Sequence, residues 1–330
     1  MLPFGKSLVT GGAGFIGSHL VDRLIEEGTE VTVLDDFSTG SIKNLEASLK
    51  SRNLKIVKGS INDKELLRSE LAGVEVVFHL AALTPSHERQ VTTSYMNAVN
   101  VNGTIDLLES CVRTGVKRFV FASSAEVYGN TSKLPLSETG KMNPLTENGW
   151  SKVLGEKACF EFSSKTGIKT TILRYFNVYG ERSPITPARG VVNEFAEKLL
   201  LMESPVIFGK GEHTRDFVYV KDIVSANILA GGADSAGRVY NVGSGTHVSI
   251  ETLAEIESRL LLGDNVIIPL DYKLAKQIDV PNVYGDISLI REDLGYIPKH
   301  SIEEGLREYL SKLKNMLSLE VERPIPVRRV

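Results

Sequence analysis

Residues 7–17, SLVTGGAGFIG, carry the clearest structural signal in the sequence. A short apolar strand pattern ends at Thr10, a glycine-rich turn with Gly11, Gly14 and Gly17 follows, and an amphipathic helix pattern begins at once. Glycine allows a tight turn there and lets the backbone approach a diphosphate, which the free N–H groups and positive dipole end of the helix would attract. The stretch therefore predicts a dinucleotide-binding strand, turn and helix.

The next predicted strand, EVTVLD at 30–35, carries the second part of such a site. Asp35 ends this strand 18 residues beyond Gly17. That is close to the spacing of about 20 residues at which an acidic side chain hydrogen-bonds the adenosine ribose. A carboxylate in this place repels a 2′-phosphate, so the pattern favours NAD over NADP as the cofactor.

The first 175 residues alternate short apolar runs with amphipathic stretches. Strands separated by helices predict crossover connections and helices on both faces of one sheet. The fold class is therefore α/β, a Rossmann-type doubly wound parallel sheet. We expect strands at 7–10, 30–35, 54–59, 74–80, 117–123 and 169–175, and helices near 15–28, 63–71, 95–114 and 150–166.

The pattern changes after residue 176, where prolines and glycine-containing turns become frequent. We interpret residues 1–175 as an NAD-binding Rossmann domain, with returning segments near 215–245. Residues 176–330 are interpreted mainly as a smaller C-terminal substrate-binding lobe. Its predicted elements are a strand at 238–245 and helices near 189–202, 249–262 and 301–314.

Composition narrows the class of protein. The 330 residues carry a net charge of −3, which argues against nucleic acid as a partner because nucleic-acid affinity depends mainly on Lys and Arg. No stretch resembles a signal peptide or the ~20 apolar residues that span a bilayer, so a cytoplasmic protein without a membrane segment is expected. Cys111 and Cys159 lack metal-site spacing and are expected to be buried thiols, with no metal bound.

Eight motifs in order resemble the extended short-chain dehydrogenase/reductase family, and within it the NAD-dependent UDP-sugar 4-epimerases of the UDP-glucose/galactose 4-epimerase kind. The motifs are GGAGFIGSHL (11–20), DDFSTG (35–40), GSIND (59–63), HLAA (79–82), NVNGT (100–104), SSAEVYG (123–129), RYFNVYGER (174–182) and HTRDFVYVKD (213–222). The resemblance covers nearly the whole chain. It implies epimerisation at C4 of a UDP-sugar through a transient 4-keto form, and a homodimer.

The resemblance also implies the residues that hold NAD. Asp63 would meet the adenine amino group, and the HLAA turn would lie beside the nicotinamide ribose. The cofactor-binding set is Gly11, Gly14, Phe15, Ile16, Gly17, Asp35, Asp36, Ser38, Thr39, Gly40, Ile61, Asp63, Leu80, Ala81, Ala82, Asn100, Lys152 and Tyr175.

A second implied set surrounds the sugar nucleotide. Ser123 and Ser124 would hydrogen-bond the reacting hydroxyl, and Arg215 would pair with the diphosphate, because planar guanidinium donors meet phosphate oxygens in pairs. The implied substrate-binding residues are Thr84, Ser124, Glu126, Asn177, Val191 and Arg215. The implied catalytic positions are Ser123, Ser124, Asn148 and Lys152.

One departure from the family matters for chemistry. The family's catalytic motif is Tyr-x-x-x-Lys, whereas this chain reads NGWSK, with Asn148 in the tyrosine position and Lys152 in the lysine position. A carboxamide cannot abstract a proton, and losing a general base typically costs ~10²–10⁴-fold in rate. Three explanations stay open: an introduced substitution, a natural variant with another acid–base group, and a natural non-catalytic binder of NAD and sugar nucleotide.

Substitute bases are available in the sequence. Glu126, Tyr95 and Glu147 are candidates, and the residues alone do not choose among them. Glu126 also bears on the reaction, since related 4,6-dehydratases and decarboxylases carry a catalytic glutamate at this place in the motif. The dehydratases usually place Asp before it, whereas this chain has Ala125. A nucleotide-sugar dehydratase or decarboxylase that uses Glu126 is therefore an alternative function.

Overall fold

The structure, a computed structural model, describes residues 2–84, 92–131, 133–183, 190–234, 236–274 and 280–321. The predicted helix at 189–202 begins one residue outside these ranges.

Fourteen strands lie within the described ranges. They are β1 (Lys6–Thr10), β2 (Glu30–Asp35), β3 (Leu54–Lys58), β4 (Val76–His79), β5 (Arg118–Ser124), β6 (Lys169–Tyr175), β7 (Asn177–Tyr179), β8 (Val206–Phe208), β9 (Thr214–Arg215), β10 (Phe217–Tyr219), β11 (Arg238–Val242), β12 (Val248–Ser249), β13 (Asp271–Lys273) and β14 (Asn282–Val283).

Ten α-helices lie within the same ranges. They are α1 (Phe15–Glu26), α2 (Lys64–Glu70), α3 (Thr93–Asn97), α4 (Thr104–Thr114), α5 (Glu147–Thr166), α6 (Val191–Leu200), α7 (Val220–Gly232), α8 (Ile250–Leu262), α9 (Ser288–Leu294) and α10 (Ile302–Val321). A π-helical segment, Ala98–Gly103, joins α3 to α4, and 3₁₀ turns occupy Ile42–Leu45 and Ala125–Tyr128.

Seven strands form one parallel sheet in the order β11, β6, β5, β4, β1, β2, β3. The predicted α/β class and the doubly wound parallel sheet are confirmed. The predicted strand at 238–245 is β11 and pairs with β6 at the sheet edge. By contrast, β10 pairs with β7 outside the main sheet. The boundary between domain and lobe stays an interpretation.

Adjacent side chains of the sheet enter different cores, as expected of strands covered on both faces. Leu8 belongs to a cluster with Leu107 of α4, and Val9 to a cluster with Leu24 of α1. The cluster that contains Leu8 also buries both cysteines, Cys111 and Cys159, as predicted. A third cluster joins α6, α8 and α10 to β7 and β10 and forms the core of the C-terminal part.

Glu257 of α8 is fully buried in the C-terminal part, and neither carboxylate oxygen has a hydrogen-bond partner among the described residues. Burial raises the pKa of Glu257 well above its ordinary value of 4.5. The unfolded chain therefore releases this proton at a lower pH than the folded chain does. Since the unfolded state then binds fewer protons, this group makes stability fall as pH rises above about 4.5.

We expect Glu257→Met to raise the free energy of unfolding by about 1–3 kcal/mol at pH 7.5, because it removes an unpaired buried carboxyl. The gain should be larger at pH 8 than at pH 5, by up to about 1.4 kcal/mol per pH unit. Urea titrations at the two pH values measure it. Glu255→Met, at an exposed position of the same helix, should change stability by less than about 0.5 kcal/mol at either pH. An equal gain in stability at both pH values would show that the pKa of Glu257 is not raised in the folded protein.

Candidate active site

The glycine turn forms one end of a cleft at the carboxyl edge of the sheet. Gly11 has a positive φ of 66°, and a Cβ there would lie 2.8 Å from the Ala81 nitrogen. A Cβ on Gly17 would lie 2.2 Å from the Gly11 carbonyl oxygen. The turn therefore depends on the absence of side chains at these positions. The predicted residues Gly11, Gly14, Phe15, Ile16 and Gly17 all line the cleft.

Helix α1 presents its N-terminus to this cleft. Within the described residues, no side chain caps the helix at Gly14, and no acidic residue lies in its first turn. The first N–H groups of an α-helix have no acceptor within the helix, and its dipole makes this end positive. The turn and helix end together fit the diphosphate of a dinucleotide.

Asp35 lies at the end of β2, on the rim of the same cleft. Its carboxylate accepts hydrogen bonds from the N–H groups of Ala13 (2.9 Å) and Phe37 (2.8 Å), which fix its orientation. Burial raises the pKa of Asp35, and these two N–H groups partly offset the rise. The predicted neighbours Asp36, Ser38 and Thr39 also line the cleft. Gly40 instead packs against Asp35, where a Cβ would lie 2.9 Å from Asp35 Oδ1.

We expect Asp35→Ala to weaken NAD binding by at least about 10-fold, because a charged hydrogen bond to the ribose is lost. The discrimination against NADP should decrease as well, since the carboxylate no longer repels a 2′-phosphate. Isothermal titration of both dinucleotides measures the two effects. Unchanged affinity for NAD would show that the ribose contact is misassigned.

The middle of the cleft is mainly apolar. Its walls include the predicted residues Ile61, Leu80, Ala81, Ala82 and Thr84. Asn100, also predicted to bind the cofactor, lies behind this wall on the π-helical segment. Its side chain accepts from the Leu83 N–H (2.7 Å) and donates to the Leu83 carbonyl (2.9 Å) and to Ser151 Oγ (3.2 Å). Asn100 therefore links the backbone at Leu83, in the cleft wall, to Ser151 of α5.

Asp63 is placed as a helix cap. Its Oδ1 accepts from the N–H groups of Glu65 and Leu66 in the first turn of α2, and it lies outside the cleft lining. Its contact with adenine stays a prediction.

Lys152 of α5 lines the other end of the cleft, together with Ser124 and Glu126. Its Nζ donates to the Ala122 carbonyl (2.8 Å) and lies 5.2 Å from the centre of the Phe121 ring. Burial lowers the pKa of Lys152 to about 8, although the Glu126 and Glu156 carboxylates act in the opposite direction. A cationic group with a lowered pKa in a cleft is typical of a functional site.

The two serines at the end of β5 have different surroundings, although both line the cleft. Ser123 is buried, and its Oγ donates to Glu156 Oε1 (2.5 Å). Glu156 in turn holds Arg174 in a buried ion pair of 2.7 Å. Ser124 is half-buried, and its Oγ accepts from the Glu126 N–H (3.1 Å). Ser124 is therefore the serine that is closer to solvent, while Ser123 belongs to a buried network.

Asn148 lies beside Glu126. The Asn148 Nδ2 donates to Glu126 Oε1 (3.1 Å), and the Thr146 hydroxyl donates to Glu126 Oε2. Both Asn148 and Glu126 line the cleft, and the Glu126 side chain is exposed there. A carboxylate thus stands next to the position that the family's tyrosine would occupy.

The other candidate bases lie elsewhere. Glu147 accepts from the Thr93 hydroxyl, and Tyr95 is 51% exposed on α3; neither belongs to the cleft lining.

Tyr175, predicted to bind NAD, lines the cleft, but its hydroxyl donates to Asn227 Oδ1 (2.8 Å), and burial raises its pKa. The Tyr128 hydroxyl donates to Asn241 Oδ1 (2.6 Å), and burial raises its pKa to about 12.

Three predicted substrate residues belong to the C-terminal part. The Asn177 N–H and Nδ2 both donate to the Asp216 carbonyl (3.0 and 3.3 Å). Arg215 Nη1 donates to the carbonyls of Thr214 (2.9 Å) and Pro281 (3.0 Å). Val191 begins α6 and is half-buried. The described residues do not bring these three into the lining of the main cleft, and their contacts with a nucleotide stay predictions.

Sequence reasoning missed Thr146 and Glu156. Thr146 caps α5, since its Oγ1 accepts from the Gly149 N–H (2.9 Å), and a threonine before a helical pattern is a recognisable start signal. Glu156 offers no comparable signal, because a glutamate within a helix usually faces solvent.

The described residues contain neither a cluster of metal-ligand side chains nor a membrane-spanning helix. No group of three or more His, Cys, Asp and Glu side chains in them could hold a metal ion. No helix in them has the length and apolar character needed to cross a membrane.

Comparison with known proteins identifies relatives over nearly the full chain. A UDP-N-acetylglucosamine 4-epimerase from Methanobrevibacter ruminantium M1, solved with UDP-N-acetylmuramic acid, has a TM-score of 0.89 and 34% identity, over 96% of this chain and 100% of that one. A UDP-glucose 4-epimerase from Thermotoga maritima, solved with UDP-glucose, has a TM-score of 0.86 and 37% identity, over 94% and 99%. A UDP-N-acetyl-alpha-D-glucosaminuronate decarboxylase from Bacillus cytotoxicus is 33% identical over 312 residues, 92% of this chain and 96% of the relative.

The family assignment follows from the matched region. A family model described as "NAD dependent epimerase/dehydratase family" matches residues 7–243, which include the glycine turn, Asp35 and the segment from Ser123 to Lys152. The expected resemblance to extended short-chain dehydrogenases/reductases and the expected cofactor, NAD, are confirmed. The chain belongs to the NAD dependent epimerase/dehydratase family.

Proposed function

We propose that the protein interconverts the two configurations at C4 of a UDP-sugar. The observation that carries this proposal is one continuous cleft, which runs from the glycine turn past Ala81 to Ser124, Glu126 and Lys152. A sugar at the far end would lie between the cofactor and a cluster of groups that can hold or move a proton. Two relatives that bear the name of a UDP-sugar 4-epimerase cover almost all of the chain.

The chain's own residues would bind and orient the reactants. NAD, when bound, supplies the hydride acceptor and donor. The N–H groups at the start of α1 would hold its diphosphate, and Asp35 would hold its adenosine ribose. The Lys152 ammonium would stabilise negative charge that develops near the reacting hydroxyl, and the Ser124 hydroxyl would donate to the same oxygen. Removing one such preorganised donor typically costs ~10²–10³-fold in rate.

We infer that the C-terminal lobe binds the UDP part of the substrate. Arg215 supports this inference, because two backbone carbonyls orient its guanidinium, and oriented guanidinium groups suit phosphate oxygens. Asn177 and Val191 would complete this subsite. Residues 176–330 would then act mainly as the substrate-binding lobe, apart from β11, which belongs to the central sheet.

We also infer a homodimer. Trp150 and Leu154, four residues apart on α5, are 51% and 40% exposed, and exposed apolar side chains on one helix face favour a partner surface. Light scattering should give about twice the chain mass of 36.2 kDa. A monomer at micromolar concentration would contradict this inference.

A cytoplasmic location, favoured by the two free cysteines, stays a prediction.

The experiment is a two-directional assay with three substrate pairs: UDP-glucose and UDP-galactose, their N-acetylated counterparts, and the corresponding uronic acids. Chromatography should show at least one pair reaching the same equilibrium from both directions. If no pair interconverts, while NAD and UDP still bind, the non-catalytic binder becomes the better account, and Asn148 is the observation that favours it.

Decarboxylation of a UDP-uronic acid is a second candidate function. Glu126 in the cleft and the 33% identity to a UDP-sugar acid decarboxylase favour it. Release of CO₂ from UDP-glucuronate or its N-acetylated analogue would support this candidate. Interconversion at C4 without CO₂ release would exclude it.

A further inference from the structure

The position of the missing tyrosine carries a further observation. Asn148 is 8% exposed, and its Oδ1 is buried without a hydrogen-bond partner in the part of the chain that the structure describes. A buried polar atom left unpaired typically costs about 1–3 kcal/mol. Within the described residues, the side-chain amide hydrogen-bonds Glu126, since Asn148 Nδ2 donates to Glu126 Oε1 (3.1 Å). A buried polar atom left unpaired beside a cleft is a local inconsistency of the kind expected at a functional site.

Glu126 is oriented by two donors. Nδ2 of Asn148 reaches one carboxylate oxygen, and the Thr146 hydroxyl reaches the other. Both donors are uncharged, so these contacts orient the carboxylate without placing a positive charge against it. Thr146 and Asn148 flank the start of α5, so that the helix carrying Lys152 also fixes the position of Glu126.

Lys152 is close enough to Glu126 for the two charges to interact. The Glu126 carboxylate raises the pKa of the Lys152 ammonium against the larger effect of burial. The cleft therefore contains an acceptor for a proton and, near it, a fixed positive charge. A carboxylate beside an ammonium can accept the proton of the sugar hydroxyl, which is the task of the tyrosine in the family's Tyr-x-x-x-Lys motif.

The other side chains near the cleft that could act as an acid–base group hydrogen-bond partners away from the sugar position. Ser123 donates to Glu156, and the phenols of Tyr175 and Tyr128 donate to Asn227 and Asn241. Glu147 points to Thr93. Among the described titratable groups that line the cleft, Asp35 and Asp36 lie at the ribose end, beside the strand β2.

We propose that Glu126 is the acid–base residue of this protein and that Asn148 is a positioning residue that orients it; this inference rests on the proposed C4 chemistry. In the forward step the sugar O–H bond breaks and its proton moves to a Glu126 carboxylate oxygen. The O–H electron pair forms the second bond of the C4 carbonyl, as hydride leaves C4 for the oxidised cofactor. When hydride returns to C4, Glu126 returns the proton to oxygen, and the carboxylate is regenerated.

The test uses Glu126→Gln, Asn148→Tyr and the double variant, all as full-length protein loaded with NAD. Glu126→Gln should lower kcat by about 10²–10⁴-fold, while Kd values for UDP and NAD, measured by calorimetry, stay within about 3-fold. The double variant should regain at least about 10²-fold over Glu126→Gln, because the introduced phenol lies next to Lys152 and can act as the base. Glu147→Gln, which changes the neighbouring carboxylate outside the cleft, should keep the activity of the unmodified protein.

Four outcomes would overturn the inference. Glu126→Gln could keep more than half of the activity, or it could lose nucleotide affinity and turnover together, as a structural residue would. The double variant could remain as inactive as Glu126→Gln. The unmodified protein could be inert while Asn148→Tyr alone is active, which would leave the proposed function standing and remove only the role of Glu126. The proposed function itself fails if neither the unmodified protein nor Asn148→Tyr converts any UDP-sugar.

Discussion

Gly17→Ala should abolish NAD binding at micromolar concentrations, with a loss of affinity of at least about 100-fold. The added Cβ would lie 2.2 Å from the carbonyl oxygen of Gly11 and 2.8 Å from the Cα of Gly12. Neither backbone atom can move without opening the turn that brings α1 to the cleft, and overpacking of this kind is costly in a rigid site. Calorimetric titration with NAD measures the loss.

Gly5→Ala is the matched control for this substitution. A Cβ on Gly5 would lie at an ordinary distance of 3.5 Å from Glu75 Oε1. This variant should bind NAD with the affinity of the unmodified protein. If Gly17→Ala binds NAD equally well, the turn is not the diphosphate site.

Arg174→Met should lower the free energy of unfolding by about 3–5 kcal/mol, because it leaves a buried carboxylate without its partner. Arg174 and Glu156 have side chains that are 3% and 0% exposed and lie 2.7 Å apart. The guanidinium also donates to the Tyr128 hydroxyl (2.9 Å) and the Glu138 carbonyl (3.1 Å). Urea titration followed by circular dichroism measures the change.

An exposed ion pair provides the comparison for Arg174. Lys165 and Glu161 are 68% and 61% exposed on α5, and Lys165→Met should cost no more than about 0.5 kcal/mol. The double replacement of Arg174 and Glu156 by Met should recover part of the loss, since the unpaired charge is then removed. A loss below about 1 kcal/mol for Arg174→Met would contradict the assigned role of this pair.

The fold could be predicted well because its signals are local. The glycine turn, the strand that ends at Asp35 and the alternation of strands with helices all depend on residues close together in sequence. The strand at 74–80 was predicted too long, and the structure keeps only Val76–His79. The place of β11 at the sheet edge required pairing with β6, more than 60 residues earlier, and a local pattern carries no register for such a pair.

The site was predicted less completely, because its decisive contacts join distant residues. Asn148 and Glu126 are 22 positions apart, and Ser123 and Glu156 are 33 apart. The sequence pointed to Asn148, Glu126 and Ser123 as site residues. It could not show that Asn148 hydrogen-bonds Glu126, or that Ser123 donates to the buried carboxylate of Glu156. Asn100 illustrates the same difficulty, since its side chain hydrogen-bonds the backbone of Leu83, 17 positions away, while its contact with the cofactor stays a prediction.

The proposed function requires hydride to leave C4 and return to it within this cleft. The most direct measurement is mass spectrometry of the products from a UDP-hexose that carries deuterium at C4, incubated with the NAD-loaded protein. The epimer should form and retain the deuterium at C4, because the same hydride comes back to the opposite face. An epimer that has exchanged its label with water, or the absence of any epimer, would show that hydride does not leave and return to C4 in this cleft.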